Sequence, residues 1–382
     1  MKKCGSHGIA LALLLWGLAA PVAAWGQAAQ ADPARAWRSE WSRTDFGRHA
    51  VELAEIISGG PPKDGIPPID RPAFVSAEQA AAWLELEEPV LVFAVEGDVR
   101  AYPLQILIWH EIVNDEVGGQ PVVVTFCPLC NSALVFDRRA AGRVLDFGTT
   151  GKLRHSDLVM WDRQTESWWQ QLTGEAIVGE LTGTRLTYRP APLVSFRSFR
   201  EAYPDGRVLS RETGFARNYG ANPYRGYDRP ENDRPFLFRG PVDARLRATE
   251  RVVALELGGQ AKGYPYAELV KVGVVNDTLG GVPLVVLWQR GTRSALDGSS
   301  IADSRDVGAG VAYDRRLEGR TLTFRRGEDG ALDAETGSRW NLLGQAVAGP
   351  LRGKSLRPLV AGNHFAFAWL AFRPESAIYK AP

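Results

Sequence analysis

Cysteine is scarce in this sequence, and its scarcity limits the chemistry open to the chain. The 382 residues contain three cysteines and two methionines. A disulfide-dense scaffold is therefore excluded, because such scaffolds need many paired cysteines in a short chain. Cys4 lies in an N-terminal stretch that we expect to be removed. Cys127 and Cys130 are then the cysteines of the mature protein.

The chain also lacks a large net charge and a long internal apolar run. The 45 lysines and arginines are balanced by 44 aspartates and glutamates, without a basic run. Nucleic-acid binders normally show a basic excess on one face, so we expect no nucleic-acid partner. After the N-terminus no stretch approaches the ~20 apolar residues of a membrane-spanning helix, so we expect no transmembrane span in the mature chain.

The N-terminus has the three-part pattern of a secretory signal. Lys2 and Lys3 precede an apolar run from Ile9 to Ala24, which ends in small residues. This pattern predicts a signal peptide over residues 1–24. The mature protein is then periplasmic or secreted.

Two parts of the chain resemble each other. The segment "AYPLQILIWHEIVNDEVGGQPVVV" (101–124) aligns with "GYPYAELVKVGVVNDTLGGVPLVV" (263–286), and the likeness continues from "FDRRAAGRVLDF" to "YDRRLEGRTLTF". Self-similarity of this kind is the sequence signature of a unit used twice. The sequence therefore predicts a duplication in which the second copy is degenerate.

Each copy consists of short runs rich in Val, Leu, Tyr and Trp that are broken by turn residues such as Gly-Gly and Asn-Asp. This pattern is typical of successive antiparallel hairpins. We predict a mainly β fold with a few short helices, which "SAEQAAAWLEL", "YPLQILIW" and "FRSFREAYP" would form, built from two degenerate copies of a hairpin-rich unit. The predicted divisions are an N-terminal extended segment at 25–75, a first repeat at 76–215, an irregular linker at 216–250 and a second repeat at 251–382. Part of the linker (218–240) is either a spacer or a cover for a site.

The two copies can be compared to separate scaffold residues from functional ones. Three aspartates of the first copy recur in the second beside turns, which favours a structural role: Asp115, Asp137 and Asp162 recur as Asp277, Asp314 and Asp333. Cys127, Cys130 and His110 have no counterpart in the second copy, and His364 has none in the first. These four residues are therefore the candidates for a functional site.

The Cys-Pro-Leu-Cys pair has three interpretations. A structural disulfide would close a very short loop, which stabilises little in the loop-entropy model. A thioredoxin-like redox pair normally opens a helix, whereas the residues after Cys130 are typical of a strand. A metal site is the third interpretation, in which a strand ends at Cys127, Pro128 tightens the turn and two thiolates converge.

The metal interpretation needs ligands beyond the two thiolates. The spacing suits copper or zinc, and we predict His110 as a third ligand and His364 or His155 as a further one. Glu111 would serve as a general base or would orient a ligand. The leading prediction is thus an exported protein of unassigned activity with a Cys127/Cys130/His110/His364 metal site. The alternatives are a periplasmic thiol–disulfide oxidoreductase and a ligand-binding or structural module with an inert local disulfide.

Several motifs together resemble a known family. These are "GGPPKDGIPPID", "HEIVND", "VTFCPLCNSALVFDR", "SDLVMWDRQTESWWQQLTGEAIVG" and the late "HFAFAW". From about residue 55 onward the chain is similar to the bacterial proteins grouped as domain of unknown function 3179. The resemblance implies that Cys127, Cys130, His110 and His364 are residues typical of this family. It also implies that members of the family commonly have Asn at the position of His155. The resemblance implies no activity.

Overall fold

The computed structural model describes Met1 and residues 33–382, and over these residues the protein is mainly β with a few short helices, as predicted. The rest of the predicted signal peptide lies outside the described residues. The predicted helical stretches contain the first three α-helices. The α-helices are α1 (Ala77–Ala80), α2 (Leu104–His110), α3 (Phe196–Ala202), α4 (Tyr266–Val272) and α5 (Ala366–Phe372), and the 3₁₀ helices are Pro33–Ala36, Leu53–Glu55, Pro128–Cys130 and Ile301–Asp303.

The strands before residue 215 form three sheets and a small two-stranded ribbon. They are β1 (Ile56–Ser58), β2 (Phe74–Ser76), β3 (Pro89–Val95), β4 (Asp98–Pro103), β5 (Ile112–Val117), β6 (Gln120–Cys127), β7 (Ser132–Asp137), β8 (Arg139–Ala140), β9 (Arg143–Val144), β10 (Phe147–Arg154), β11 (Asp157–Asp162), β12 (Trp168–Gln170), β13 (Glu175–Val178), β14 (Tyr188–Arg189), β15 (Leu193–Ser195) and β16 (Arg207–Leu209). The sheet orders are β15-β3-β4-β16-β2, β14-β7-β6-β5 and β1-β10-β11-β12-β13, and the ribbon is β8-β9.

The strands after residue 250 form a further set of sheets. They are β17 (Arg251–Leu257), β18 (Gln260–Pro265), β19 (Val274–Leu279), β20 (Val282–Gln289), β21 (Ala309–Asp314), β22 (Arg316–Leu317), β23 (Arg320–Thr321), β24 (Phe324–Gly327), β25 (Gly330–Asp333), β26 (Arg339–Trp340), β27 (Ala346–Ala348), β28 (Arg357–Pro358), β29 (Gly362–Phe365) and β30 (Ala377–Ile378). Their sheet orders are β29-β17-β18-β30, β28-β21-β20-β19 and β24-β25-β26-β27, and the ribbon is β22-β23. The duplication itself stays a prediction, which a superposition of residues 90–190 on 252–357 would test.

The two halves of the chain share hydrophobic cores. The largest cluster joins Val124 and Phe126 of β6 to Phe365 of β29 and Phe367 of α5, all of them buried. Burial of such apolar side chains is the main stabilising contribution to a fold of this size. The halves are therefore held together by apolar contacts across the chain, and β29 lies directly against β7. Among the described residues, no helix has the length and apolarity needed to cross a membrane.

The proline-rich segment before the first repeat is irregular and packed. Asp64 accepts hydrogen bonds from the Thr149 backbone N–H and the Trp161 indole N–H, at 2.9 and 3.1 Å. Ile69 forms a parallel bridge with Val113 of β5. The segment therefore contacts two of the sheets that carry the candidate site.

Candidate functional site

The two cysteines lie at a tight turn between neighbouring strands. β6 ends at Cys127, a single 3₁₀ turn runs from Pro128 to Cys130, and Asn131 adopts a left-handed conformation with φ of 49° before β7 begins. Cys127 and Ser132 are paired in the antiparallel ladder. This agrees with the expected geometry, in which the strand ends at the first thiol. Both thiols are free and buried.

A second turn places a carboxylate beside the thiols. Arg154 of β10 pairs with Asp157 of β11, so the hairpin loop is only His155 and Ser156, with φ values of 53° and 62°. Two consecutive left-handed residues form the type I′ turn that matches the twist of a hairpin, although glycine or asparagine normally occupies it. Non-glycine residues held in this region cost about 1–3 kcal/mol each and cluster at functional sites.

The two turns meet at one cluster of potential ligands. The Cys127 thiol donates to the Ser156 carbonyl oxygen at 3.7 Å. The two cysteine sulfurs and one Asp157 carboxylate oxygen all lie within 4.8 Å of one another, and all three residues are buried. Asp157 Oδ2 accepts from the Gln170 amide at 2.6 Å and from the Leu172 backbone N–H at 2.9 Å. Its Oδ1 atom is buried and has no hydrogen-bond partner.

Burial makes every acid of this cluster harder to ionise. It raises the pKa of the Cys127 thiol, and together with the adjacent Cys127 it raises the pKa of Cys130 well above the usual range. Burial also raises the pKa of Asp157 to about 6, against the lowering effects of its Leu172 and Gln170 donors and of the two nearby thiols. Desolvation in a low-dielectric interior disfavours the charged form of each group.

Glu111 adds a fourth acidic group next to the cluster. It follows the last residue of α2 in a left-handed conformation with φ of 58°, which directs the chain into β5. Burial, followed by the charge of nearby Asp157, raises the pKa of Glu111 to about 8. Among the described residues, no lysine or arginine forms an ion pair or hydrogen bond with the side chain of Glu111, Asp157 or either cysteine.

The linker segment 218–240, which we call the strap, packs over this region. Tyr224 and Tyr227 pack against the hydrophobic cluster that contains both cysteines. Burial raises the pKa of both phenols, with a further rise from the nearby Cys127. Phe236 accepts a hydrogen bond through its carbonyl oxygen from Ser156 Oγ at 2.6 Å. These contacts favour the interpretation in which the strap covers the candidate site over the one in which it is a spacer.

His110 is buried but has partners of its own. Its Nδ1 lies 2.7 Å from the Pro67 carbonyl oxygen and its Nε2 lies 2.6 Å from the Tyr219 hydroxyl. Burial lowers the pKa of the ring. His110 is not a member of the Cys127, Cys130 and Asp157 group. Its two ring contacts instead connect the end of α2 to the proline-rich segment and to the strap.

His364 and His155 also lie outside that group of three. His364 is buried and stacks on Trp369, with ring centroids 5.6 Å apart and planes 7° apart. His155 occupies the hairpin turn, where its ring packs against Phe238 and Phe372. The structure thus brings together the two predicted cysteines but not the predicted histidines.

The turn aspartates have the structural contacts that the internal comparison predicts. Asp115, Asp137 and Asp162 each accept a backbone N–H one to three residues later. Asp277, Asp314 and Asp333 do the same in the second half. Trp169 donates its indole N–H to Asp162 and Trp340 donates to Asp333, both at 2.9 Å.

Asp157 is the cluster member that the sequence reasoning missed. A signal for it was present in the internal alignment. The alignment that pairs Asp162 with Asp333 also pairs the residues five positions earlier, which are Asp157 and Glu328. Asp157 therefore has no identical counterpart in the second copy. The same reasoning that selected the cysteines would then have included Asp157.

The comparison with family models identifies the chain. The model described as "Protein of unknown function (DUF3179)" matches residues 63–376, which is most of the chain, and the protein belongs to this family. No curated protein and no solved structure matches the sequence.

Proposed function

We propose that this member of the DUF3179 family binds one zinc ion through Cys127, Cys130 and Asp157. The observation that carries the proposal is the buried group of two thiols and one carboxylate, with ligand atoms within 4.8 Å of one another. In a tetrahedral zinc site the Zn–S distances are about 2.3 Å and the Zn–O distances about 2.0–2.2 Å. Zinc binding would draw the three ligand atoms together from separations of up to 4.8 Å.

The charge of the site supports a cation. Four acidic groups are buried together, and their raised pKa values reflect the cost of ionising them without a counter-charge. Buried charges in proteins are paired or coordinate metals. A divalent cation would supply the missing positive charge and would hold the thiolates and the carboxylate in their ionised forms.

The donor set favours zinc over copper. Zinc accepts both cysteine sulfur and aspartate oxygen, whereas Cu(I) is selected by soft thiolate and thioether ligands. The unpartnered Oδ1 of Asp157 is the oxygen available as a ligand, because Oδ2 already accepts two hydrogen bonds. Three protein ligands leave a fourth zinc position for water or another ligand, as in catalytic rather than structural zinc sites.

The test is the metal content and metal affinity of the purified protein. The protein is purified without chelators under reducing conditions, and zinc and copper are measured beside a thiol count. Zinc affinity is measured by competition with a chromophoric chelator. We expect one zinc per chain, and we expect its loss in Cys127→Ser and Cys130→Ser. A native protein that takes up no zinc at micromolar concentrations would refute the proposal.

A thiol–disulfide oxidoreductase is the second candidate, because Cys127 and Cys130 are both free and adjacent. In this reaction a bond forms between the two sulfurs, a partner disulfide is reduced to two thiols, and the two thiol protons pass to the partner. The raised thiol pKa values oppose it, because the thiolate is the nucleophile. Cys130→Ser separates the candidates: a redox centre would trap partner proteins as mixed disulfides through Cys127, and a zinc site would not.

A further inference from the structure

A cavity of about 350 Å³ lies between the two halves of the chain. One wall comes from the first half, through Leu134, Leu172 and Tyr188, and the opposite wall comes from β17, β29 and α5 of the second half. This volume is within the range of pockets that hold small molecules. None of Cys127, Cys130 and Asp157 lines the cavity, although Leu172, which does, donates its backbone N–H to Asp157.

One wall of the cavity includes His364, whose ring stacks on Trp369. His364 is 2% exposed, and its Nδ1 is buried with no hydrogen-bond partner. Its Nε2 lies over Gly362, where an added Cβ would be 2.1 Å from that nitrogen. The absence of a side chain at Gly362 therefore leaves room for the imidazole edge, and both residues line the cavity.

The ring of His364 is uncharged. Burial lowers its pKa to about 3, so the imidazole is neutral at physiological pH. A neutral ring presents one N–H donor and one acceptor nitrogen. Nδ1 is closed off from the cavity, so Nε2, which lies beside Gly362 at the cavity wall, is the ring atom that would bond a ligand.

The charged residues around the cavity cancel one another. Arg373 donates to Glu256 at 2.6 Å, and Arg185 donates to Glu175 at 2.9 Å. The rest of the lining is leucine, alanine, valine and glycine, together with Thr173, Tyr188 and the Trp369 ring stacked on His364. The Tyr188 hydroxyl already donates to the Leu172 carbonyl oxygen at 2.8 Å. The cavity thus offers apolar contact area, the neutral polar groups of His364 and Thr173, and no unpaired charge.

We infer that this cavity binds a small uncharged molecule with an apolar body and one hydroxyl or carbonyl group, which hydrogen-bonds to His364 while its apolar part contacts Trp369 and the leucine side chains. Apolar pockets with one placed polar group recognise ligands in this way. The inference does not depend on the zinc proposal, because none of the proposed zinc ligands lines the cavity.

Ligand-observed ¹⁹F NMR on the purified protein tests the inference, with 4-fluorophenol as the probe. Fluorobenzene lacks the hydroxyl group and 4-fluorobenzoate carries a charge, so they are the matched comparison compounds. We expect saturable binding of 4-fluorophenol, about 3–10-fold weaker binding of fluorobenzene, which loses one hydrogen bond, and still weaker binding of 4-fluorobenzoate. Preferential binding of 4-fluorobenzoate would overturn the assignment of an uncharged ligand.

Two variants locate the binding. His364→Phe keeps a flat ring and removes both nitrogens, so 4-fluorophenol should bind no better than fluorobenzene. Gly362→Ala places a methyl group 2.1 Å from the present position of Nε2, so it must displace the His364 ring and should weaken binding of both compounds. Should a variant fail to fold, ¹⁵N-histidine spectra of the native protein replace it. We expect the probe to shift the His364 resonances and leave those of His110 unchanged. Binding that neither variant alters, no shift at His364, or no saturable binding would overturn the inference.

Discussion

The Cys127 thiol donates a hydrogen bond to the Ser156 carbonyl oxygen at 3.7 Å, although the two residues are 29 positions apart in the chain. This contact joins the turn that ends β6 to the turn that begins β11. Because Asp157 follows Ser156 directly, the contact also brings a carboxylate to the two thiols. The proposed zinc site depends on this meeting of two turns.

Replacing Asp157 with Asn should weaken zinc binding strongly while both thiols stay intact. Loss of an outer-shell partner of a metal typically costs about 10–100-fold in affinity, and loss of a direct ligand should cost at least as much. Chelator competition measures the effect. Asp146→Asn is the matched control, because this carboxylate pairs with Arg138 and is partly exposed. Equal affinities for the Asp157 variant and the native protein would exclude Asp157 as a ligand.

The metal-free protein should become less stable as the pH rises from about 4 to about 8. Glu111 has a folded pKa of about 8 against an ordinary value of 4.5. The folded state therefore binds the proton more tightly, and this stabilisation is present below pH 4.5 and is lost as the pH approaches 8. A single group changes the free energy of unfolding by at most about 1.4 kcal/mol per pH unit.

Urea unfolding of the metal-free protein at several pH values measures this slope. Glu111→Gln should flatten it, because the amide does not titrate. Bound zinc should reverse the trend, since the metal competes with protons for its ligands. A slope that is identical in the native protein and in Glu111→Gln would contradict the assigned pKa shift.

His110→Gln should reduce stability and leave zinc affinity unchanged. Both ring nitrogens of His110 already have partners, which are the Pro67 carbonyl and the Tyr219 hydroxyl. Leaving such groups unpaired costs about 1–3 kcal/mol. Denaturant unfolding and chelator competition on the same samples separate the two effects. A marked loss of zinc affinity would instead support the prediction from the sequence that His110 is a ligand.

Ser156→Ala should make the cysteines more accessible to alkylation. The Ser156 hydroxyl donates to the Phe236 carbonyl and so ties the strap to the hairpin turn. Without this bond the strap should open more often, and the metal-free, reduced protein should react faster with iodoacetamide. Peptide mass spectrometry identifies the modified cysteine. An unchanged alkylation rate would show that this hydrogen bond does not hold the strap over the cysteines.

Trp169→Phe and Trp340→Phe should destabilise the protein by similar amounts. Each indole is fully buried and donates to an aspartate at 2.9 Å, Asp162 in the first half and Asp333 in the second. The loss leaves a buried acceptor with one partner fewer, which costs about 1–3 kcal/mol. Thermal unfolding of the two variants makes the comparison. Widely different losses would argue against equivalent roles in the two halves.

The sequence by itself determined the β-rich class, the short helices and the geometry of the cysteine turn. These features are local: turn residues and apolar runs mark the hairpins, and a turn of three residues after Cys127 brings Cys130 back toward it. The roles of the turn aspartates were also accessible, because each one bonds a backbone N–H at most three residues away.

Only the tertiary structure decided what surrounds the thiols. Asp157 reaches them because two hairpins pack together, and the strap reaches Ser156 across 80 positions of chain. His110 contacts Tyr219 of the strap across 109 positions, and this contact occupies one ring nitrogen of a residue that the sequence predicted as a metal ligand. Contacts of this length depend on which apolar faces bury one another, and local periodicity carries no information about that choice. For the same reason the cavity of His364, which is formed by both halves, has no signature in either half alone.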